Sequence, residues 1–223
     1  MIVLKNLSKT YEKHGQTVHA LEQVCLHVPK GDFVAVTGPS GSGKTTLMNI
    51  LGCLDRPSEG TYLLDGQPMS DLTGSGAADI RNQKIGFVFQ SFNLISSMSA
   101  LENVELPLLL RGVPRKKRQK AAREALLRVG LEERAAHRPA ELSGGQQQRV
   151  AIARVLAADP PLILADEPTG NLDGPTAREI LSILDGLHRE GRTIVMITHD
   201  PAVAAAAPRS LRMENGRLTT QNH

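Results

Sequence analysis

Phe33-Val34-Ala35-Val36-Thr37-Gly38-Pro39-Ser40-Gly41-Ser42-Gly43-Lys44-Thr45-Thr46 runs from a segment that is apolar on both faces straight into a glycine-rich loop. Such a segment reads as a buried parallel strand, because a strand covered on both sides loses the apolar/polar alternation of a half-exposed one. Gly38 to Thr45 fits the spacing G-x-x-x-x-G-K-[ST] at every position. In that loop the glycines let successive backbone N–H groups turn toward one point, and the helix that follows presents its positive end there. A nucleoside triphosphate is the expected ligand, with Lys44 neutralising the β and γ charges and the Thr45 hydroxyl on Mg²⁺.

Working outward, Leu162-Ile163-Leu164-Ala165-Asp166 and Thr193-Ile194-Val195-Met196-Ile197-Thr198 are two more apolar runs that end in polar residues, and Gly86-Phe87-Val88-Phe89 ends at Gln90. Short β-rich runs alternating with helical ones predict a mostly parallel sheet covered by helices. Ligands of open α/β sheets gather at the carboxyl ends of the strands, so these ends are expected to supply the chemistry. Asp166 is placed to hold the Mg²⁺ shell, and Glu167, one residue on, to orient and polarise an attacking water. His199 follows the third strand, where an imidazole can donate to a γ-phosphate. Gln90 is within reach of both Mg²⁺ and the nucleophilic water.

A second anion-seeking helix start follows a hundred residues after the first. Leu142-Ser143-Gly144-Gly145-Gln146 combines an N-cap serine with bare glycine N–H groups, ahead of an apolar run through Val150, Ile152, Val155 and Leu156. A capping box from Ser143 to Gln146 explains two of these residues. It does not predict two glycines in the first turn, which cost helix stability.

The flanking segments frame this core. Ile2 to Val28 alternates apolar and polar residues and predicts antiparallel strands, with Pro29-Lys30-Gly31-Asp32 as a turn. Between Gln90 and Leu142 the character changes. Ser99 to Leu110 reads helical as far as Pro107, and Val113-Pro114 marks a break. From Arg115 onward, Ala122, Ala125, Leu126 and Val129 fall at helical spacing beneath a Lys/Arg-rich outer face. Arg209 to Leu218 reads as a hairpin around Glu214-Asn215-Gly216.

Composition narrows the remaining classes. With 223 residues, 40% hydrophobic and 22% charged, the chain suits one large soluble domain with an insertion, and disordered and fibrous classes drop out. A net charge of +3 demands no polyanionic partner, and 3% aromatic residues without Trp argue against a stacking surface for single-stranded nucleic acid. The basic run Lys116-Lys117-Arg118-Gln119-Lys120 is read as a solvated helix face. Cys25 and Cys53 are expected to be reduced core thiols. Met1-Ile2-Val3-Leu4-Lys5 lacks the marks of a signal peptide, and no apolar run approaches the roughly 20 residues of a membrane span. A cytoplasmic chain is expected, any membrane role coming through a partner.

Together these motifs resemble the ATP-binding cassette (ABC) ATPases over essentially the whole chain. The resemblance implies an α/β fold with a phosphate-loop NTPase core of mostly parallel sheet, an N-terminal antiparallel β subdomain and an inserted helical subdomain. It makes residues 1–223 one ATPase domain, with core and antiparallel subdomain at 1–90 and 142–223 and helical subdomain at 91–141. It implies ATP and Mg²⁺ as ligands, with Tyr11 stacked on adenine and Gly38, Pro39, Ser40, Gly41, Ser42, Gly43, Lys44, Thr45 and Thr46 around the phosphates. Thr45, Gln90 and Asp166 are then the metal residues, Glu167 the general base and His199 the γ-phosphate switch. Gln90 links nucleotide to transport partner, and Asn171-Leu172-Asp173 is the dimer loop. Ser143, Gly144, Gly145 and Gln146 belong to the family signature, which in a head-to-tail dimer covers the ATP held by the other copy.

A finer resemblance is to macrolide-export and lipoprotein-release cassettes, on Asp166-Glu167-Pro168-Thr169-Gly170-Asn171-Leu172-Asp173 and Leu101-Glu102-Asn103-Val104-Glu105-Leu106-Pro107. The first departs from the Ser-containing dimer loop of many importers. It implies a homodimer on the cytoplasmic face of the inner membrane. The partner is an integral-membrane permease with a large extracytoplasmic domain, and a periplasmic adaptor is compatible. Ser91 to Leu101 and the helical segment after it form the expected docking surface. Cell-division cassettes, whose product is regulated partner binding, are the alternative. DNA-linked cassettes need long coiled-coil arms that this length cannot hold, so no nucleic acid is expected. The substrate is left open, because its recognition belongs to the permease.

Overall fold

The computed structural model describes residues 1–13, 15–70, 72 and 74–220. Two sheets carry the architecture. The antiparallel one has the order β2-β1-β4-β5, from β1 (Ile2–Lys13), β2 (Gln16–Val28), β4 (Glu59–Leu64) and β5 (Gln67–Pro68). The other has six strands in the order β10-β9-β3-β8-β7-β6, from β3 (Phe33–Thr37), β6 (Ile85–Phe89), β7 (Leu162–Asp166), β8 (Thr193–Ile197), β9 (Arg209–Glu214) and β10 (Arg217–Thr220). It is parallel except at β10, which pairs antiparallel to β9 as the expected terminal hairpin. The helices are α1 (Lys44–Leu51), α2 (Gly74–Lys84), α3 (Ala100–Leu110), α4 (Arg115–Arg128), α5 (Gly144–Ala158), α6 (Gly174–Arg189) and the short α7 (Pro201–Ala204).

Strand β3 shows why its sequence lacks alternation. Phe33 and Ala35 join one core with Val88, Ile152, Ile163, Ile180 and Ile194, whereas Val34 and Val36 join another with Leu47, Ile50, Leu164, Val195 and the inner face of the antiparallel sheet. Successive side chains point to opposite faces, so both parities must be apolar when both faces are covered. The register sets Val36 beside Ile197 and Asp166 beside Ile197, so β3, β8 and β7 end level with one another. The loop after β3, Asp166 and the residues after β8 therefore share one edge.

Three expectations need correcting. Helix α3 does not stop at Pro107 but runs on to Leu110, and Arg111 N–H donates to Pro107 O (3.2 Å). Proline costs one ladder bond, but Ala100, Val104 and Leu108 are buried on one face, and tertiary packing outweighs that local penalty. Cys25 is not a core thiol: it is exposed at the sheet surface, its Sγ donating to Asn6 Oδ1 (3.2 Å), and Cys53 is half-buried. Within the basic run, Arg118 is not purely a solvated cation, since its Nε donates to the buried Glu105 carboxylate (2.7 Å) and ties α4 to α3.

Among the described residues no helix is long and apolar enough to cross a membrane.

Candidate functional site

At the end of β3 the chain enters its loop at Gly38, with φ 152°, and leaves it through Gly43, with φ 104°. Neither position admits a side chain. A Cβ on Gly38 would stand 2.1 Å from Met213 O, and one on Gly43 2.4 Å from Ala20 O. Gly38→Ala should therefore cost about 1–3 kcal/mol as an overpacking defect against backbone, read as a lowered denaturant midpoint.

Helix α1 begins without a side-chain cap and without an acidic residue in its first turn. Its first N–H groups are thus left for a ligand, and the positive end of the helix favours an anion. Lys44, only 8% exposed, donates through Nζ to Gly38 O and Pro39 O at 2.8 Å each, so its charge is held inside the loop.

These groups line a cleft of about 450 Å³, together with residues from β2, the end of β6, β7 and, through Ile197, β8. Ser40, Gly41, Gly43, Lys44, Thr45 and Thr46 form one wall. Gln90 from the end of β6, Asp166 from β7 and the adjoining Glu167 form another. Val18, His19 and Ala20 of β2 complete it, and no motif pointed to these three. Burial, the neighbouring Glu167 charge and, in the opposite sense, Lys44 act on the Asp166 carboxyl, which lies above its ordinary value. A carboxylate whose charge is disfavoured in this way gains from a cation placed beside it.

Glu167 adopts a left-handed backbone (φ 46°), and its N–H donates to Ile197 O (2.9 Å). A non-glycine residue there is strained and is held by its surroundings. His199 Nδ1 donates to Glu167 Oε1 (2.7 Å), so the two residues placed separately on the γ-phosphate and on water are in direct contact.

Gln90 is clasped to the loop after β7. Its Nε2 donates to Asn171 Oδ1 and its backbone carbonyl accepts from Asn171 Nδ2, both at 3.1 Å. Gly170 lies so close that a Cβ there would meet Gln90 Nε2 at 2.8 Å.

Tyr11 is not itself a lining residue, but its side chain interacts with Thr46, which is. Its hydroxyl donates to Asp55 Oδ2 (2.6 Å), and Lys9 Nζ sits 4.8 Å from its ring centroid. Pro39, too, is placed on the other side of the loop, facing a second cleft with Thr37 and His199.

Ser143 to Gln146 are at the start of α5, outside the lining of this phosphate cleft. Ser143 Oγ accepts from Gln146 N (3.3 Å), and Gln146 Oε1 accepts from Ser143 N (2.9 Å), completing the expected capping box. The two glycines of this helix start answer to different constraints. A Cβ on Gly145 would come within 2.3 Å of Thr176 Cγ2, so close packing of α5 on α6 already favours glycine there. Gly144 is different: a Cβ would make ordinary contacts with Phe92 Cζ (3.6 Å) and Leu172 Cδ2 (3.7 Å). Phe92 and Arg154, which donates to Phe92 O and Asn93 O, went unnoticed in the sequence because a single aromatic in a loop and an arginine within a helix carry no spacing signal.

Comparison with known proteins agrees with this geometry. The family model for ABC transporters matches residues 21–170. The chain is 51% identical over 218 residues to the uncharacterized ABC transporter ATP-binding protein YvrO of Bacillus subtilis, covering 98% of this chain and 95% of that one. It is 50% identical to the macrolide export ATP-binding/permease protein MacB 1/2 of Paracoccus denitrificans, of whose length it spans 33%. Among solved structures, the ATP-binding cassette MJ0796 in a dimeric post-hydrolysis state with ADP and Pi superposes with a TM-score of 0.90 at 45% identity, each chain fully covered. A family match over more than half its length and relatives that align along nearly all of it show that the chain belongs to the ABC transporter family, as one of its ATP-hydrolysing cassettes.

Proposed function

We propose that two copies of this chain close head to tail over two ATPs and that closure drives a permease engaged in export, lipoprotein extraction or mechanotransmission. The observation that carries the shared site is the separation just described: a capped helix start with two glycine N–H groups stands outside the phosphate cleft of its own chain. A second copy turned end for end brings such a helix to each cleft. The dimeric state of MJ0796 with ADP and Pi supports the same reading.

Within each cleft, the loop N–H groups and Lys44 bind the ATP phosphates, and Glu167 takes the proton from the attacking water. His199 lines the neighbouring cleft and is bonded to Glu167, so it orients that carboxylate; its γ-phosphate contact is part of the proposal. Thr45, Asp166 and Gln90 offer a hydroxyl, a carboxylate and an amide, an oxygen set with a single carboxylate that suits Mg²⁺ shared with substrate phosphates. When bound, Mg²⁺ would neutralise charge developing on the phosphate oxygens.

The permease partner is assigned to a groove of about 630 Å³ between the sheet core and the helices after Gln90. Leu54, Phe87, Leu106 and Leu110 give it an apolar floor, and Leu110 is 71% exposed. This groove lies beside Asn93, in the segment expected to dock. The macrolide-export relatives, which join ATP-binding and permease in one name, support a permease partner; its large extracytoplasmic domain and a periplasmic adaptor belong to the proposal on the motif resemblance alone. The same reading puts the chain on the cytoplasmic face of the inner membrane, with 91–141 as the helical subdomain that presents the groove.

Ser143→Arg tests the shared site. The variant should bind ATP as a monomer with parental affinity and lose the ATP-dependent dimer, because a bulky cation replaces the N-cap at the closing surface. Size-exclusion chromatography with and without ATP reads the outcome, and a parental dimer in the variant would refute the arrangement.

A further inference from the structure

We propose that Phe92 is a positioning residue for the signature helix: its ring, carried on a backbone turn that Arg154 holds, sets the seat of Gly144 and so controls dimer closure. The inference rests on the shared-site reading above and deepens it.

Three residues beyond β6 the chain takes an unusual path. Phe92 and Asn93 are consecutive left-handed residues, with φ 61° and 49°, and neither is glycine. Two such residues in succession are strained and persist only where their surroundings over-determine them. The restraint comes from α5 itself. Half-buried Arg154 donates to Phe92 O (3.1 Å) and Asn93 O (2.7 Å), while Asn93 N donates back to Ser91 O (2.6 Å). The strained turn does not bury its aromatic residue in either core, since Phe92 is only half-buried. It delivers the ring tip to Gly144, the first residue of α5, where a Cβ would stand 3.6 Å from Phe92 Cζ.

Leu172 lies beside the same point, its Cδ2 at 3.7 Å. The loops carrying these two side chains are bonded to each other through Gln90 and Asn171. Gly144 thus faces two apolar side chains whose own loops are clasped. Helix α5 carries both the seat and, ten residues on, the arginine that holds one of its walls. Arg154 and Asn93 also line the groove assigned to the permease, with Leu106 and Leu110. A segment entering that groove meets the residues that hold the turn carrying the ring, so groove and signature are joined within one subunit through a single packed contact.

The test uses Glu167→Gln as parent, in which turnover is suppressed and ATP-bound dimers accumulate. Phe92→Ala in that background should weaken ATP-dependent dimerisation by about 5–150-fold, the usual range for coupling between sites. ATP affinity at low protein concentration, where only monomer is present, should remain that of the parent, as should the thermal midpoint. Phe92→Met, which keeps an apolar side chain of similar reach, should restore dimerisation, and it carries the test if the alanine variant is unstable. Undiminished dimerisation by Phe92→Ala overturns the proposal. So does an equal loss of monomer ATP affinity, which would put Phe92 on its own chain's nucleotide. Failure of the parent itself to dimerise with ATP would instead overturn the shared-site reading, and this inference with it.

Discussion

Glu167→Gln should lower steady-state ATP hydrolysis by about 10²–10⁴-fold while leaving ATP binding intact, the range expected when a general base is removed. That corresponds to about 3–5 kcal/mol of barrier. The geometry favours a clean result. Glu167 is fixed by its N–H bond to Ile197 O and by a left-handed backbone, neither of which involves the carboxylate. Glutamine has the same shape, and its amide oxygen accepts from His199 Nδ1 as the carboxylate does at 2.7 Å. Only the capacity to take a proton is lost. ATP-bound dimers should therefore accumulate, visible as a shift in elution volume on adding ATP. Phosphate release near the parental rate would show that Glu167 is not the base. His199→Ala separates the two members of the pair: the carboxylate remains but loses its orienting bond, so turnover should fall by less than in Glu167→Gln if proton transfer dominates.

The parts of this site that the sequence made legible are those specified by local geometry. A strand running into a glycine loop and then a helix requires particular residue types at fixed offsets, and Gly38 and Gly43 are required outright because backbone occupies the space a side chain would need. Asp166, Glu167 and His199 were legible because each follows an apolar run, and the parallel register of β3, β8 and β7 then brings their ends level. What escaped was decided by distant segments. Strand β4 pairs with β1 across more than fifty residues, setting Ile2 against Leu64, and nothing within Glu59 to Leu64 announces that partner. The prolongation of α3 past Pro107 depends on packing that the segment does not itself encode. Gly145 read as an anion-binding feature until Thr176 was found against it, showing that a glycine can answer to packing and to ligand at once. The contact between Glu167 and His199 likewise needs two strands side by side before it exists.

The second large effect is expected at Lys44. Among the described residues its ammonium is the only lysine or arginine charge lining the phosphate cleft, and it is nearly enclosed, with Gly38 O and Pro39 O at 2.8 Å and Ser42 Oγ at 3.4 Å. Bonds to charged groups contribute about 1.5–3 kcal/mol each, so replacing two such bonds to phosphate should weaken ATP by at least about 100-fold. Lys44→Ala also acts on its neighbour. Lys44 is the influence that draws the Asp166 carboxyl down against burial and the Glu167 charge, so in its absence that carboxyl moves further above the ordinary carboxylate range. Because a protonated carboxyl cannot hold a cation, Mg²⁺-dependent ATP binding by the variant should fall away at higher pH than in the parent as the solution is acidified. Lys44→Met keeps the apolar stem and removes only the charge, so it should lose as much affinity as alanine if the ammonium is what matters. Calorimetric titration of ATP across a pH series, with Mg²⁺ fixed, reads both effects. Tight ATP binding by either variant would remove Lys44 from the phosphate site, whereas loss of affinity with an unchanged pH profile would uncouple it from Asp166.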